Sequence, residues 1–472
     1  MAGAALAIGA GAARLAAQQA PDTAVYNLAI TGVRPHLAVE ARFVGPDAGL
    51  LFLTTRSAAT GAEVDGFGAS DDRGGPLPFQ RTGDGFAITN VQGGPVRFRY
   101  QVSFSDSVAS ASTASGLDTT RLYAVARSLF VAPDPVLYRK TGHAYPVVRV
   151  VFLLPPRWRL VADWDTIGEA LAPRSADDLL ENAVAAAPDY RYHTGTAGGA
   201  EYVVAVRGHR AFTDSALVEV VRQSLERGAR ALGPVPVPRV LYISDAGRKG
   251  RTSGSLQGTR TIGLLWEPGE MLERARSHDT FHETLHLWFG GVMESERWWT
   301  EGATDYFAAR LYADWRGDPS QLASLCYESL RNYEEIPHRA TMTMATEART
   351  LPGGDNTVRL VYRKGMLAAL LLDAAVRRGS HGSADLDTVA RELLATARTR
   401  RSRTVSEAEI GEAVARAGGR AARREWERVV TGTGPITAKQ VAAALKEVTG
   451  VDLPPPPDRG NVPKALARPP AP

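Results

Sequence analysis

Residues 278–302 read HDTFHETLHLWFGGVMESERWWTEG. Within them His282, Glu283 and His286 form an H-E-x-x-H pattern on a predicted helix. Residues four apart lie about 40° apart around a helix axis, so both imidazoles can reach one ion from one face. Glu283 sits one position on, where its carboxylate can hydrogen-bond a water on that ion instead of binding the ion itself. A catalytic zinc has three protein ligands and one open position, so a third donor must follow. Glu294, Glu296, Glu301 and Asp305 are in range. Glu301 is preferred because Thr300 to Trp315 reads as a second helix, starting just after the pair Trp298-Trp299. Asp305, i+4 from Glu301, can face the same site and accept a hydrogen bond from the far nitrogen of a ligand histidine. The metzincin continuation is absent, since Phe289 stands where its glycine would be and no third histidine follows.

Composition narrows the chemistry further. The chain has 472 residues, 44% hydrophobic, which is globular and enough for more than one domain. Its single cysteine, Cys326, excludes an intrachain disulfide and a cysteine-built zinc site, leaving His, Asp and Glu for any metal. Cys326 lies in the apolar run LASLCYESL and reads as a small core residue. Lys+Arg 55 against Asp+Glu 51 is near balance and marks no nucleic-acid partner. The basic run 398–403, with Arg420, Arg423 and Arg424, reads as solvated helix ends and loops. Neither a Walker-type phosphate loop nor a G-x-S-x-G elbow is present. No apolar stretch reaches the ~20 residues of a membrane span. Ala2 to Ala20, apolar and small but interrupted by Arg14, resembles a secretory leader and points to export, periplasmic or secreted, over a cytoplasmic location.

Along the chain the texture changes twice. Leu37, Val39, Ala41 and Phe43, and again Val96, Phe98, Tyr100, Val102 and Phe104, alternate with polar or small residues, the period of half-buried strands. Connectors such as Asp71 to Pro76 separate such runs, and Tyr145 to Leu154 is another strand. Tyr202 to Val206 and Arg239 to Ile243 read as strands around an amphipathic helix, Asp214 to Leu232. From Glu270 to about Val448 the chain is mostly helical. The expected organisation is α+β and multidomain: a leader-like segment (1–24), an antiparallel β-rich domain (25–190), a catalytic domain (191–375), a helical domain (376–452) and a disordered Pro-rich tail (453–472). His278 is expected at the surface, near the N-terminal end of its helix.

HETLHLWFGG followed by WWTEGATDYFA resembles the gluzincin metallopeptidases, in particular the aminopeptidase N and glycyl aminopeptidase families. The resemblance implies a thermolysin-like catalytic domain. It implies one zinc ion held by His282, His286 and Glu301, with Glu283 as general base. V361-Y-R-K-G-M366 is similar to the segment whose tyrosine stabilises the tetrahedral intermediate, which maps onto Tyr362. The likeness is strong over about residues 254–375 and leaves no stretch for the PDZ module common in glycyl aminopeptidases. Two departures stand out. The interval from His286 to Glu301, residues 287–300, is shorter than in aminopeptidase N. In addition, the glycine-rich strand S253-G-S-L-Q-G-T-R260 has Gln257 near where those enzymes place a glutamate that grips the substrate amine. A neutral amide pairs far less well with an ammonium group. Gly254, Gln257 and Gly258 are read equally as a substrate-binding edge or a surface turn. The expected activity is zinc-dependent hydrolysis of peptide or protein substrates. Three forms stay open: an aminopeptidase, an endopeptidase or oligopeptidase without the amine anchor, and a non-catalytic peptide-binding scaffold of the same fold.

Overall fold

The computed structural model describes residues 23–455, except 33–34, 47–48, 55–61, 84, 105–114, 141–144, 247–253, 258–259, 267–268, 273, 338, 345–354 and 401. Residues 1–22 of the leader-like segment and 456–472 of the Pro-rich tail therefore lie outside the described residues, as does Gly258, whereas Thr23 and Ala24 begin a strand and the Leu453 carbonyl accepts from the Tyr327 hydroxyl at 2.7 Å. Two compact units divide the chain. One comprises Met1–Glu219 with Val237–Leu272, the other Val220–Pro236 with Glu273–Pro472.

The first unit is built on sheets. The alternating runs become the strands His36–Val44 and Pro95–Phe104, paired antiparallel with Leu37 opposite Val102 and Ala41 opposite Phe98. They sit inside a seven-stranded sheet whose inward residues Phe43, Phe98 and Tyr100 are fully buried, as the period-2 pattern requires. The expectation of an antiparallel domain needs one correction. Thr23–Thr31 runs parallel to Val147–Leu153, so this sheet is mixed. Parallel neighbours need a long crossover, and more than a hundred residues separate these two strands in sequence. A five-stranded sheet follows, in the order Arg191–Ala197, Ala200–Arg207, Arg239–Ala246, Thr261–Trp266, Gly254–Gln257. Gly254 and Gln257 thus lie on an edge strand, opposite Leu265 and Ile262, and not in a turn.

The second unit is helical. The motif helix Arg274–Leu285 packs beside Thr304–Arg316, with the Phe281 ring against Tyr312 and Trp315. Behind it runs the part of the helix Asp214–Leu232 from Val220 on, where Ser224 shares a buried hydrogen bond with Thr284 and Gly228 lets the Trp288 ring approach closely. The long helix Asp355–Gly379 crosses the segment that carries Glu301. Cys326 is fully buried on the helix Pro319–Glu334, as its apolar context implies. No helix among the described residues is long and apolar enough to cross a membrane.

Candidate metal centre

The motif helix ends at Leu285, and His286 occupies the turn beyond it, still bonded through its N–H to the His282 carbonyl at 3.3 Å. Its neighbour segment folds back at once, with the Gly290 N–H donating to the Met293 carbonyl at 2.7 Å. Glu301 comes from a π-helical turn, Trp298–Ala303, that leads directly into Thr304–Arg316. Such wide turns are rare in helices and recur at functional sites. The sequence periodicity marked a helix here but not its altered pitch.

These elements bring three donor atoms together. His282 Nε2 lies 3.0 Å from His286 Nε2, and Glu301 Oε2 lies 3.5 Å from the first and 3.6 Å from the second. Among the described residues, His282, His286 and Glu301 are the group of ligating side chains converging in this way. Bonds of about 2.0–2.2 Å at tetrahedral angles separate zinc ligand atoms by roughly 3.3–3.6 Å. The two sides to Glu301, at 3.5 and 3.6 Å, match that spacing, and the His282–His286 side, at 3.0 Å, is shorter by about 0.3 Å.

Partners on the far side of each ring decide its tautomer. His286 Nδ1 is 3.0 Å from the Phe289 carbonyl, which can only accept. His282 Nδ1 is 2.8 Å from Asp305 Oδ1, although not aligned as an ideal hydrogen bond. In the neutral rings the hydrogen therefore belongs on Nδ1, and both Nε2 lone pairs then point at each other and at a carboxylate oxygen. Three mostly buried acceptors facing one another, with only the Tyr362 hydroxyl donating to Glu301 Oε2, are repulsive unless a cation or protons lie between them. The electrostatics of the chain alone express this. Burial disfavours a charged His282, but the Asp305 and Glu301 carboxylates outweigh it and raise its pKa well above the ordinary value. Burial likewise works against ionised Glu301, yet the two imidazoles hold its pKa far below the usual carboxylate range.

Tyr362 completes the cluster from the helix Asp355–Gly379. Its hydroxyl donates to Glu301 Oε2 at 2.6 Å, and its ring lies over His282 with centroids 6.1 Å apart. Burial and then the Glu301 charge push the phenol well above its usual pKa, so it remains a protonated donor. Glu283 is half-buried on the motif helix, and its charge acts on both His282 and Tyr362. Asp305 occupies the place that its i+4 relation to Glu301 suggested. Glu294, by contrast, is drawn away to Arg403 at 3.3 Å.

One residue was misplaced by sequence reasoning. His278 is buried, not a surface residue, and its Nε2 donates to the Asp305 backbone carbonyl at 3.1 Å. It lies four positions before His282, on the same helical face, and that spacing was the available signal. Gly254 and Gln257 belong to the other compact unit.

No protein-family model matches the chain, and no curated protein matches it in sequence. Solved structures do. The fold is that of the gluzincin M1-like metallopeptidases, the class that the sequence resemblance implied. An aminopeptidase N family protein from Idiomarina loihiensis superposes with a TM-score of 0.75 at 15% identity, over 89% of this chain and 78% of that one. An M1 zinc metallopeptidase from Deinococcus radiodurans gives 0.56 at 14% identity, over 88% and 95%. Yeast LTA4 hydrolase in complex with bestatin gives 0.52 at 13% identity, over 89% and 68%.

Proposed function

We propose that the chain is a zinc-dependent peptidase, with His282, His286 and Glu301 holding one ion. The observation that carries this reading is the convergence of two bare imidazole nitrogens and a carboxylate oxygen at 3.0–3.6 Å, each imidazole braced from behind. A zinc ion held there supplies Lewis acidity toward water and toward the scissile carbonyl. The remaining work falls to side chains. Glu283 takes the proton of the attacking water and passes it to the leaving amine nitrogen. Tyr362, kept protonated by burial and by Glu301, donates to the oxyanion that develops on the carbonyl. Asp305 and the Phe289 carbonyl hold the two ligand rings in the required tautomer.

The test is Glu283→Gln. Metal content should stay at one zinc per chain while peptide hydrolysis falls by about 10³-fold, within the range for loss of a general base. Unchanged turnover would refute the assignment. Purified protein with far less than one zinc and no turnover would favour the non-catalytic scaffold.

Within the class, Gln257 in place of a carboxylate favours cleavage without strict dependence on a free N-terminus. Equal rates on a free and an N-acetylated peptide would support the endopeptidase or oligopeptidase form; a strict need for the free amine would make the chain an aminopeptidase. We read residues 191–375 as the catalytic domain, between a β-rich and a helical one. The leader-like start supports an exported peptidase, which cell fractionation tests.

A further inference from the structure

Glu301 is followed by Gly302, and Tyr362 stands one helical turn before Gly365. The two glycines face each other where the π-helical turn crosses the long helix. A methyl group added at Gly302 would lie 2.5 Å from the Gly365 Cα and 2.5 Å from the Val361 carbonyl oxygen. One added at Gly365 would lie 2.9 Å from the Gly302 Cα and 2.9 Å from the Trp298 carbonyl oxygen. All four obstructing atoms are backbone, so no rotamer change relieves them. Neither glycine has a positive φ, so neither is required by its own conformation. Glycine is a poor helix former, and the chain places one on each side of this contact.

We infer that Gly302 and Gly365 are positioning residues for Tyr362. Their backbone-to-backbone contact sets the distance between the helix that carries the phenol and the turn that carries Glu301. Tyr362 reaches Glu301 Oε2 at 2.6 Å only at this closeness. A methyl group at position 365 would have to push the helix back by roughly 0.5–1 Å to regain normal contact. Displacements of that size at a reacting centre cost about 10²-fold in rate. This inference rests on the catalytic reading of Tyr362 given above.

The experiment compares Gly365→Ala, Tyr362→Phe and the double variant in the zinc-loaded full chain, with Gly379→Ala as a packing control. Gly379 makes a tighter backbone contact than Gly365, 1.8 Å from the Gly418 carbonyl oxygen to an added methyl group, on the same helix but away from the site, so it is the more severe packing test. Gly365→Ala should lower kcat by about 10²-fold with KM within about threefold, and zinc retention against a chelator should match the parent. Affinity for a phosphonate peptide, which mimics the tetrahedral oxyanion, should fall in step. Tyr362→Phe should lower kcat by about 10²–10³-fold, and the double variant should be no worse than Tyr362→Phe alone. Gly379→Ala should lower the melting temperature and leave kcat near parental.

Parental kcat in folded Gly365→Ala, multiplicative losses in the double variant, or an equal kcat loss in Gly379→Ala would each overturn the positioning role. So would a Gly365→Ala chain that fails to fold where Gly379→Ala folds, because the contact would then serve folding alone. Parental activity in Tyr362→Phe would instead remove the catalytic reading beneath the inference, and the inference with it.

Discussion

Two buried polar clusters among the described residues of the helical unit are built on opposite logic. At the candidate metal centre, acceptors meet acceptors: with Nδ1 of each ring engaged, the neutral His282 and His286 rings and the Glu301 carboxylate face one another, and only the Tyr362 hydroxyl donates into the group, to Glu301 Oε2. Around Asp373, donors meet acceptors. The Tyr306 hydroxyl, Arg377 Nε at 3.0 Å and the Leu386 N–H at 3.0 Å all donate to its carboxylate. Arg310 pairs with Asp387, and Asp385 caps the helix Leu386–Arg398 through Thr388 N–H at 3.0 Å. Both clusters are buried and both contain several ionisable groups. Burial of charge therefore does not mark a site by itself; the electrostatic deficit at one cluster does. The first cluster needs a cation or protons to balance it, whereas the Asp373 carboxylate of the second already has protein donors.

Substitutions should separate the two. The largest effect is expected from Asp373→Ala, which strands the Tyr306 hydroxyl and weakens the anchoring of Arg377. Removing one partner from a buried pair costs about 3–5 kcal/mol, so denaturant melts should show a loss of that order while zinc affinity stays within about threefold. A parallel loss of zinc would mean that the clusters are coupled.

A smaller effect, and a pH-dependent one, belongs to Asp387. Burial pushes its pKa up to about 6, against the pull of Arg310. The folded chain thus holds this proton more tightly than the unfolded chain does. The associated stability is complete below about pH 4, the unfolded value, and is lost as pH rises through about 6. Asp387→Asn mimics the neutral form, so its stability relative to the parent should rise between pH 4 and 7, by on the order of 2–3 kcal/mol. A flat difference between the two melting curves across that range would contradict the shift.

At the metal centre, Asp305→Ala should weaken zinc binding by about 10–100-fold, the usual cost of losing a group that orients a ligand histidine. Chelator competition reads this directly. Global stability without metal should change less than in Asp373→Ala. Unaltered zinc affinity would show that Asp305 does not brace His282.

Much of this contrast was visible before any coordinates. His282, Glu283 and His286 are held at short range by helical geometry, so their shared face follows from spacing alone. Glu301 and Asp305 follow from the same rule applied to the next helix. Tyr362 came only through a family resemblance, because nothing local ties residue 362 to residue 301. The burial of His278 escaped notice for a related reason: whether a helix terminus is exposed depends on what packs over it, here the segment bearing Asp305. The parallel pairing of Thr23–Thr31 with Val147–Leu153 was equally hidden, since each strand shows only its own alternation and not its partner.

Residue spacing and composition alone pointed to the candidate donors His282, His286 and Glu301, excluded cysteine-built alternatives and marked many of the strands and helices, because those depend on residue types and on interactions within a few turns of chain. Only the folded chain shows the 3.0–3.6 Å triangle, the Asp305 and Phe289 oxygens beside the two Nδ1 atoms, and the close contact of Gly302 with Gly365 next to the Tyr362–Glu301 hydrogen bond. Each of these joins groups from separate elements, and such distances are set by how the elements pack.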